Sequence, residues 1–100
     1  MTDREMLEWA AKSIGDHAEE YDEKRGVWLA NARVWWNPRD DDGDAFRLAV
    51  KLRLLLHIWD NKNVVVVSPG NNAVEFTDDP YAATRRAIVR AAAKIGRNLT

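Results

Sequence analysis

The sequence predicts an α/β fold: a three-layer α-β-α sandwich on a mostly antiparallel sheet. Three observations lead there. Three segments repeat apolar residues at helical spacing, and short β-rich runs lie between them. Val64 to Val67 is apolar without alternation, as in a central strand covered on both faces. The expected element order is α-β-β-α-β-β-β-α, with five strands, no internal repeat and one domain over residues 1–100.

The first helix is expected from Asp3 to Ile14. Thr2 or Asp3 suits its N-cap, and Gly15 stands where a left-handed residue ends a helix. Met6, Leu7, Ala10 and Ile14 share one face with Trp9 on the flank, and Glu8 and Lys12 make an i,i+4 pair outside. Residues 16–36 read as a hairpin. Glu19 to Asp22 is a polar edge strand, Glu23 to Gly26 the turn, and Val27 to Ala30 the return. Asn31-Ala32 bends the chain before Arg33 to Trp36 extends it again, and Asn37-Pro38 closes the segment.

The second helix starts within Asp40 to Asp44. Ala45, Leu48, Ala49 and Leu52 lie on one face, with Phe46 and Val50 widening it; Arg53-Leu54 offers no glycine or proline to mark its end. Leu55 to Asp60 and Val64 to Ser68, around Asn61-Lys62-Asn63, read as an antiparallel hairpin, and Pro69 to Asn72 as a turn before the strand Ala73 to Phe76. The last helix has Asp79 as cap and Pro80 in its first turn, and runs to about Ile95 before Gly96. Its inner stripe is Thr84, Ile88, Ala91, Ala92, Ile95 and Leu99; Arg86, Arg90, Lys94 and Arg97 form an outer, basic stripe.

Two blocks resemble a known family. Trp36-Asn37-Pro38 followed by Asp41 to Leu52, and Ala83 to Ala92 in the last helix, are similar to the small phage and prophage proteins grouped as the phage ABA sandwich domain. The chain departs from that pattern at Arg39-Asp40, where members carry less charge, and at Arg53, where glycine is common. The resemblance implies an α-β-α sandwich of phage or prophage origin, and it brings no catalytic residues.

Composition narrows the functions. The chain is 46% hydrophobic and 31% charged with a net charge of −1, which excludes a disordered chain and a whole-molecule polycation. Residues 1–44 hold 12 acidic and 6 basic side chains (net −6), and residues 45–100 hold 4 and 9 (net +5). No cysteine is present, so disulfides, thiolate zinc sites and cysteine nucleophiles are excluded. With no long apolar run and a polar start read as lacking a signal peptide, the expected location is the cytoplasm of a bacterial host, with no membrane partner.

No motif specifies catalysis. There is no G-x-S-x-G, P-loop or G-x-G-x-x-G, and His17 and His57 lack a second histidine at metal-ligand spacing. Asp40 to Asp44 fails the EF-hand pattern, with Pro38 and Ala49 where its first and last ligands belong, and is read first as helix capping and only second as a looser cation site. No catalytic residue, metal or cofactor is therefore expected. Candidate partner-binding residues are Arg86, Arg90, Lys94 and Arg97, with Trp35 and Trp36 among five tryptophans. The basic stripe is ranked first as a solvated face, second as a protein contact, third as a nucleic-acid contact. The expected function is a non-enzymatic phage or prophage accessory protein that binds a host or phage protein, modulating a host or defence protein, and forms a weak homodimer. The alternative is a nucleic-acid-associated protein using the basic face of the last helix.

Overall fold

The computed structural model describes residues 1–59, 64–69, 72–75 and 79–99. Among the described residues the chain forms α1 (Asp3–Ser13), β1 (Ala18–Asp22), β2 (Gly26–Leu29), β3 (Val34–Trp36), α2 (Asp42–Leu52), β4 (Leu55–Trp59), β5 (Val64–Ser68), β6 (Asn72–Glu75) and α3 (Pro80–Asn98). This is an α/β fold with antiparallel pairing throughout, compatible with three layers. Two particulars differ from expectation. There are six strands in the order α-β-β-β-α-β-β-β-α, and they form two three-stranded sheets, β1-β2-β3 and β4-β5-β6. The extra strand arises because the bend after Leu29 is a full reversal. Arg33 adopts a left-handed φ of 58° and its N–H donates to the Leu29 carbonyl, so Val34 to Trp36 folds back onto β2.

Local chemistry sets the ends of each element. Thr2 caps α1, its hydroxyl accepting from the Glu5 N–H while the Glu5 carboxylate accepts from the Thr2 N–H. Glu8 pairs with Arg4 at 3.6 Å rather than with Lys12, whose ammonium lies 5.3 Å from the Trp9 ring centroid. The β1–β2 turn forms as expected: Asp22 accepts from the N–H groups of Lys24 and Arg25, and Gly26 takes φ +86°. A Cβ on Gly26 would fall on the Trp36 carbonyl oxygen. Asp41 caps α2 by accepting from the Asp44 N–H at 2.8 Å. The helix ends where Arg53 turns left-handed, φ 55°, and Leu54 donates to the Ala49 carbonyl. Glycine would take that conformation without a Cβ penalty.

β5 lies at the centre of its sheet, but its burial alternates. Val65 and Val67 are fully buried, whereas Val64, Val66 and Ser68 are half-buried. The expected covering of both faces is met on one. Asp60 to Asn63, Gly70, Asn71 and Phe76 lie outside the described residues, and with them the tips of both expected turns.

α3 is the hub. It packs on α1, on α2, and on β5 and β6, while α1 also covers β1 and β2. A helix enclosed on several sides needs small residues, and Ala83, Ala87, Ala91, Ala92 and Ala93 are all buried. The inner stripe is thus wider than expected at Ala83, Ala87 and Val89, and narrower at Leu99, which is exposed. Gly96 does not end the helix, which continues to Asn98. It sits against the backbone of α1, where a Cβ would land on the Trp9 carbonyl oxygen and lie 3.1 Å from the Ser13 nitrogen.

Two substitutions test these ends. Gly96→Ala gains roughly 1 kcal/mol of helix propensity, but forcing a methyl onto a backbone carbonyl costs about 3 kcal/mol; urea unfolding is expected to show a net loss. Arg53→Gly removes a left-handed penalty of about 1–2 kcal/mol and adds about 0.5–1 kcal/mol of unfolded-state entropy. It is expected to raise the urea midpoint slightly.

Candidate functional site

α2 buries Ala45, Leu48 and Ala49, and its flank carries Phe46 and Val50 into solvent. The left-handed turn at Arg53 then drops the chain into β4, whose five residues are all exposed. The antiparallel register places Leu56 opposite Val67 and Ile58 opposite Val65, so Leu56 and Ile58 lie on the sheet face that α3 covers further in. Between α2, β4 and the first turns of α3 runs a groove of about 490 Å³, floored by Leu56, Ile58 and Ile88 and flanked by Phe46, Val50 and Tyr81. Phe46 and Tyr81 are each 69% exposed and Ile58 is 50% exposed. Arg53 and the Asp42–Arg85 ion pair, 2.6 Å long, lie at its polar margin. Phe46, Val50, Ile58 and Tyr81 thus leave apolar side chains exposed around one groove.

On the other side of Arg85 lies a polar cavity of about 380 Å³, lined by Asp3, Glu23, Arg39, Asp40, Arg85 and Arg86 among others. Arg39, Asp40 and Arg85 are tied into one network there. Arg39 donates to the Tyr21 hydroxyl at 3.0 Å, to the Glu23 carbonyl and to Asp40, while the Arg85 Nε donates to the Arg39 carbonyl at 2.9 Å. Burial pushes the Asp40 carboxyl up, but hydrogen bonds from Arg39 and Asn37, with the Arg39 and Arg85 charges, hold it below the usual range. At Asp16 burial also raises the carboxyl, and three backbone N–H groups (Asn31, His17 and Ala32) outweigh it.

The residues singled out from the sequence are dispersed. Arg86, Arg90, Lys94 and Arg97 are exposed along the solvent side of α3, between buried neighbours, as the stripe requires. Trp36, only 7% exposed, belongs to the core, so the expectation that it contacts a partner is corrected. Trp35 is half-buried, edge-on to Trp28 at 5.7 Å and covered by the Arg25 guanidinium at 4.2 Å. The exposed tryptophan is Trp59, stacked on His57 with ring centroids 4.3 Å apart. The Asp40 to Asp44 acids serve as caps and ion-pair partners, and among the described residues no three His, Asp or Glu side chains gather as a metal site. Among the described residues no helix is long and apolar enough to cross a membrane.

The groove was not read from sequence. In the sequence Phe46 and Val50 read as the widened inner face of their helix, and Leu55 to Asp60 as one strand of a hairpin with Val64 to Ser68. The available signal was the lack of alternation in Leu-Leu-His-Ile-Trp, which leaves apolar residues on both faces whatever the pairing. No family model, curated protein or solved structure matches this chain.

The carboxyls of Asp16 and Asp40 are lower in the folded chain than the unfolded value of about 3.9. Their contribution is therefore present above that value and lost as pH falls through the folded values. Melting temperature is expected to stay level from neutral pH to about pH 5 and to fall below about pH 4. Asp16→Asn with Asp40→Asn should lower stability at neutral pH and flatten that fall.

Proposed function

We infer that the chain is a non-enzymatic binding protein that acts through protein–protein contact at the groove between α2, β4 and α3. The observation that carries this reading is the continuity of exposed apolar side chains from Phe46 and Val50 across Ile58 to Tyr81. The largest apolar patch on a typical monomer is roughly 300–600 Å² and is often functional. Aromatic side chains at its margins are the type enriched in binding hot spots. The resemblance of Trp36-Asn37-Pro38, Asp41 to Leu52 and Ala83 to Ala92 to phage ABA sandwich proteins supports a phage or prophage accessory role, in the host cytoplasm, toward a host or phage protein.

A second reading rests on the exposed row Arg86, Arg90 and Lys94, which suits phosphate groups on nucleic acid. It ranks lower because the row is the ordinary solvent strip of a helix otherwise enclosed.

A photo-crosslinking amino acid placed at Phe46 or at Tyr81 in bacterial cells is expected to give discrete protein adducts that Ile58→Ser weakens. The same probe at Arg90 should give none. Adducts at Arg90 alone would overturn the groove reading. Nucleic-acid binding with a log–log salt slope near −3, lost on replacing Arg86, Arg90 and Lys94 with glutamine, would establish the second reading instead.

A further inference from the structure

We propose that the occupant of this surface is a second copy of the chain, joined β4 to β4 in antiparallel fashion about a twofold axis through His57. The two β4-β5-β6 sheets then form one sheet of six strands. This rests on the reading of the β4 side as a protein-binding surface and names what binds there.

The edge strands differ in how they discourage pairing. β1 carries Glu19, Glu20 and Asp22 and an irregular register between Ala18 and Glu20, and β3 is three residues long. β6 ends in Glu75. β4 has five residues, no acid, lysine, arginine or proline, and an unbroken register with β5. Charges, bulges and brevity are the devices that keep edges apart, and β4 has none of them.

The strand is also complementary to itself. Antiparallel pairing about His57 sets Leu56 opposite Ile58 of the second copy, and Leu55 opposite Trp59. Both pairs are apolar on apolar, His57 meets His57 of the second copy on the axis, and no Asp, Glu, Lys or Arg is brought face to face. The second strand extends the groove floor with another Leu56 and Ile58, giving Phe46 and Val50 an apolar surface to cover. Leu55, Leu56, Ile58 and Trp59 are 37–68% exposed along the β4 edge, and Phe46, Val50 and Tyr81 add exposed apolar surface beside it, toward the ~800 Å² that each partner buries in a stable interface. The interface is isologous, as a twofold dimer requires.

Sedimentation equilibrium of the purified chain at high micromolar concentration is expected to give twice the 11.4 kDa chain mass. His57→Lys and His57→Asp place like charges on the axis, and each variant alone should sediment as a monomer. Mixed in equal amounts they should recover the dimer, which also shows that both fold. His57→Cys gives the chain its single cysteine, and Cα separations of about 4.5–5.5 Å across an antiparallel pair suit a disulfide. Air oxidation should therefore yield a covalent dimer that Arg90→Cys does not. A dimer that persists in both charged variants would overturn the β4 pairing. So would a monomeric wild type whose His57→Cys variant cross-links no better than Arg90→Cys. If groove-directed photo-crosslinks to other proteins persist in that monomer, the dimer alone falls; if they vanish too, the protein-binding reading falls with it.

Discussion

The contact on which the rest depends is the close crossing of α1 and α3 at Gly96. With no side chain there, the backbone of α3 lies directly on the Trp9–Ser13 turn of α1. Ala10 and Ala11 on one helix and Ala91 to Ala93 on the other are buried around that crossing. Helices this close behave as one rigid unit, because interiors at crystal-like packing density leave no room to slide. Each sheet then attaches to its own helix, β1 and β2 to α1, β5 and β6 to α3. The α1 and α3 layers, each with its own sheet, are thereby joined through helix backbone rather than through a shared sheet.

A polar junction fixes what the crossing leaves free. Asn37 is a buried polar side chain, and its hydrogen-bonding groups are used in several directions. Its Nδ2 donates to the Lys24 carbonyl and to Asp40, its backbone N–H donates to Asp44, and its carbonyl accepts from Asp40 and Asp41. The β1–β2 turn is thus tied to the start of α2. Arg39 extends the junction to Tyr21 and Glu23, and Arg85 links it to α3 through the Arg39 carbonyl and Asp42. With both sides of its N-terminus held, α2 is fixed against α3, beside the groove that the two share with β4. A buried amide with every partner in place specifies one arrangement, since leaving one unmade is costly.

Much of the architecture was legible in the residues because the signals were local. Thr2, one of the two candidates with Asp3, caps α1, Asp79 caps α3, α2 starts within the acidic stretch Asp40 to Asp44, and Glu23-Lys24-Arg25-Gly26 turns the first hairpin. What escaped was non-local. The reversal at residues 30–33 relies on Asp16, fifteen residues upstream, accepting from the Asn31 and Ala32 N–H groups, and no window of sequence contains both ends. The uncharged run Val64 to Val67 has the same composition in a strand covered on one face or two. Gly96 reads as a terminator until the neighbouring backbone is placed. Of the candidate site, Arg86, Arg90 and Lys94 were correctly located on the solvent side. The groove was missed because it is made of three elements whose apolar residues each look like core. Arg39 and Asp40 are members of the junction that holds α2.

The enclosed position of α3 also orders events during synthesis. Both sheets are complete by Glu75, yet the helix that covers β5 and β6 and completes the packing of α1 follows them in the chain. A nascent polypeptide emerging from the ribosome at about 5–20 residues per second therefore carries the β4-β5-β6 sheet without its covering helix until α3 has cleared the exit tunnel. During that interval Val65, Val67 and Val74 are as accessible as the β4 edge. Cellular chaperones that recognise short extended apolar segments have their opening then, and lose it when the alanine-rich helix docks.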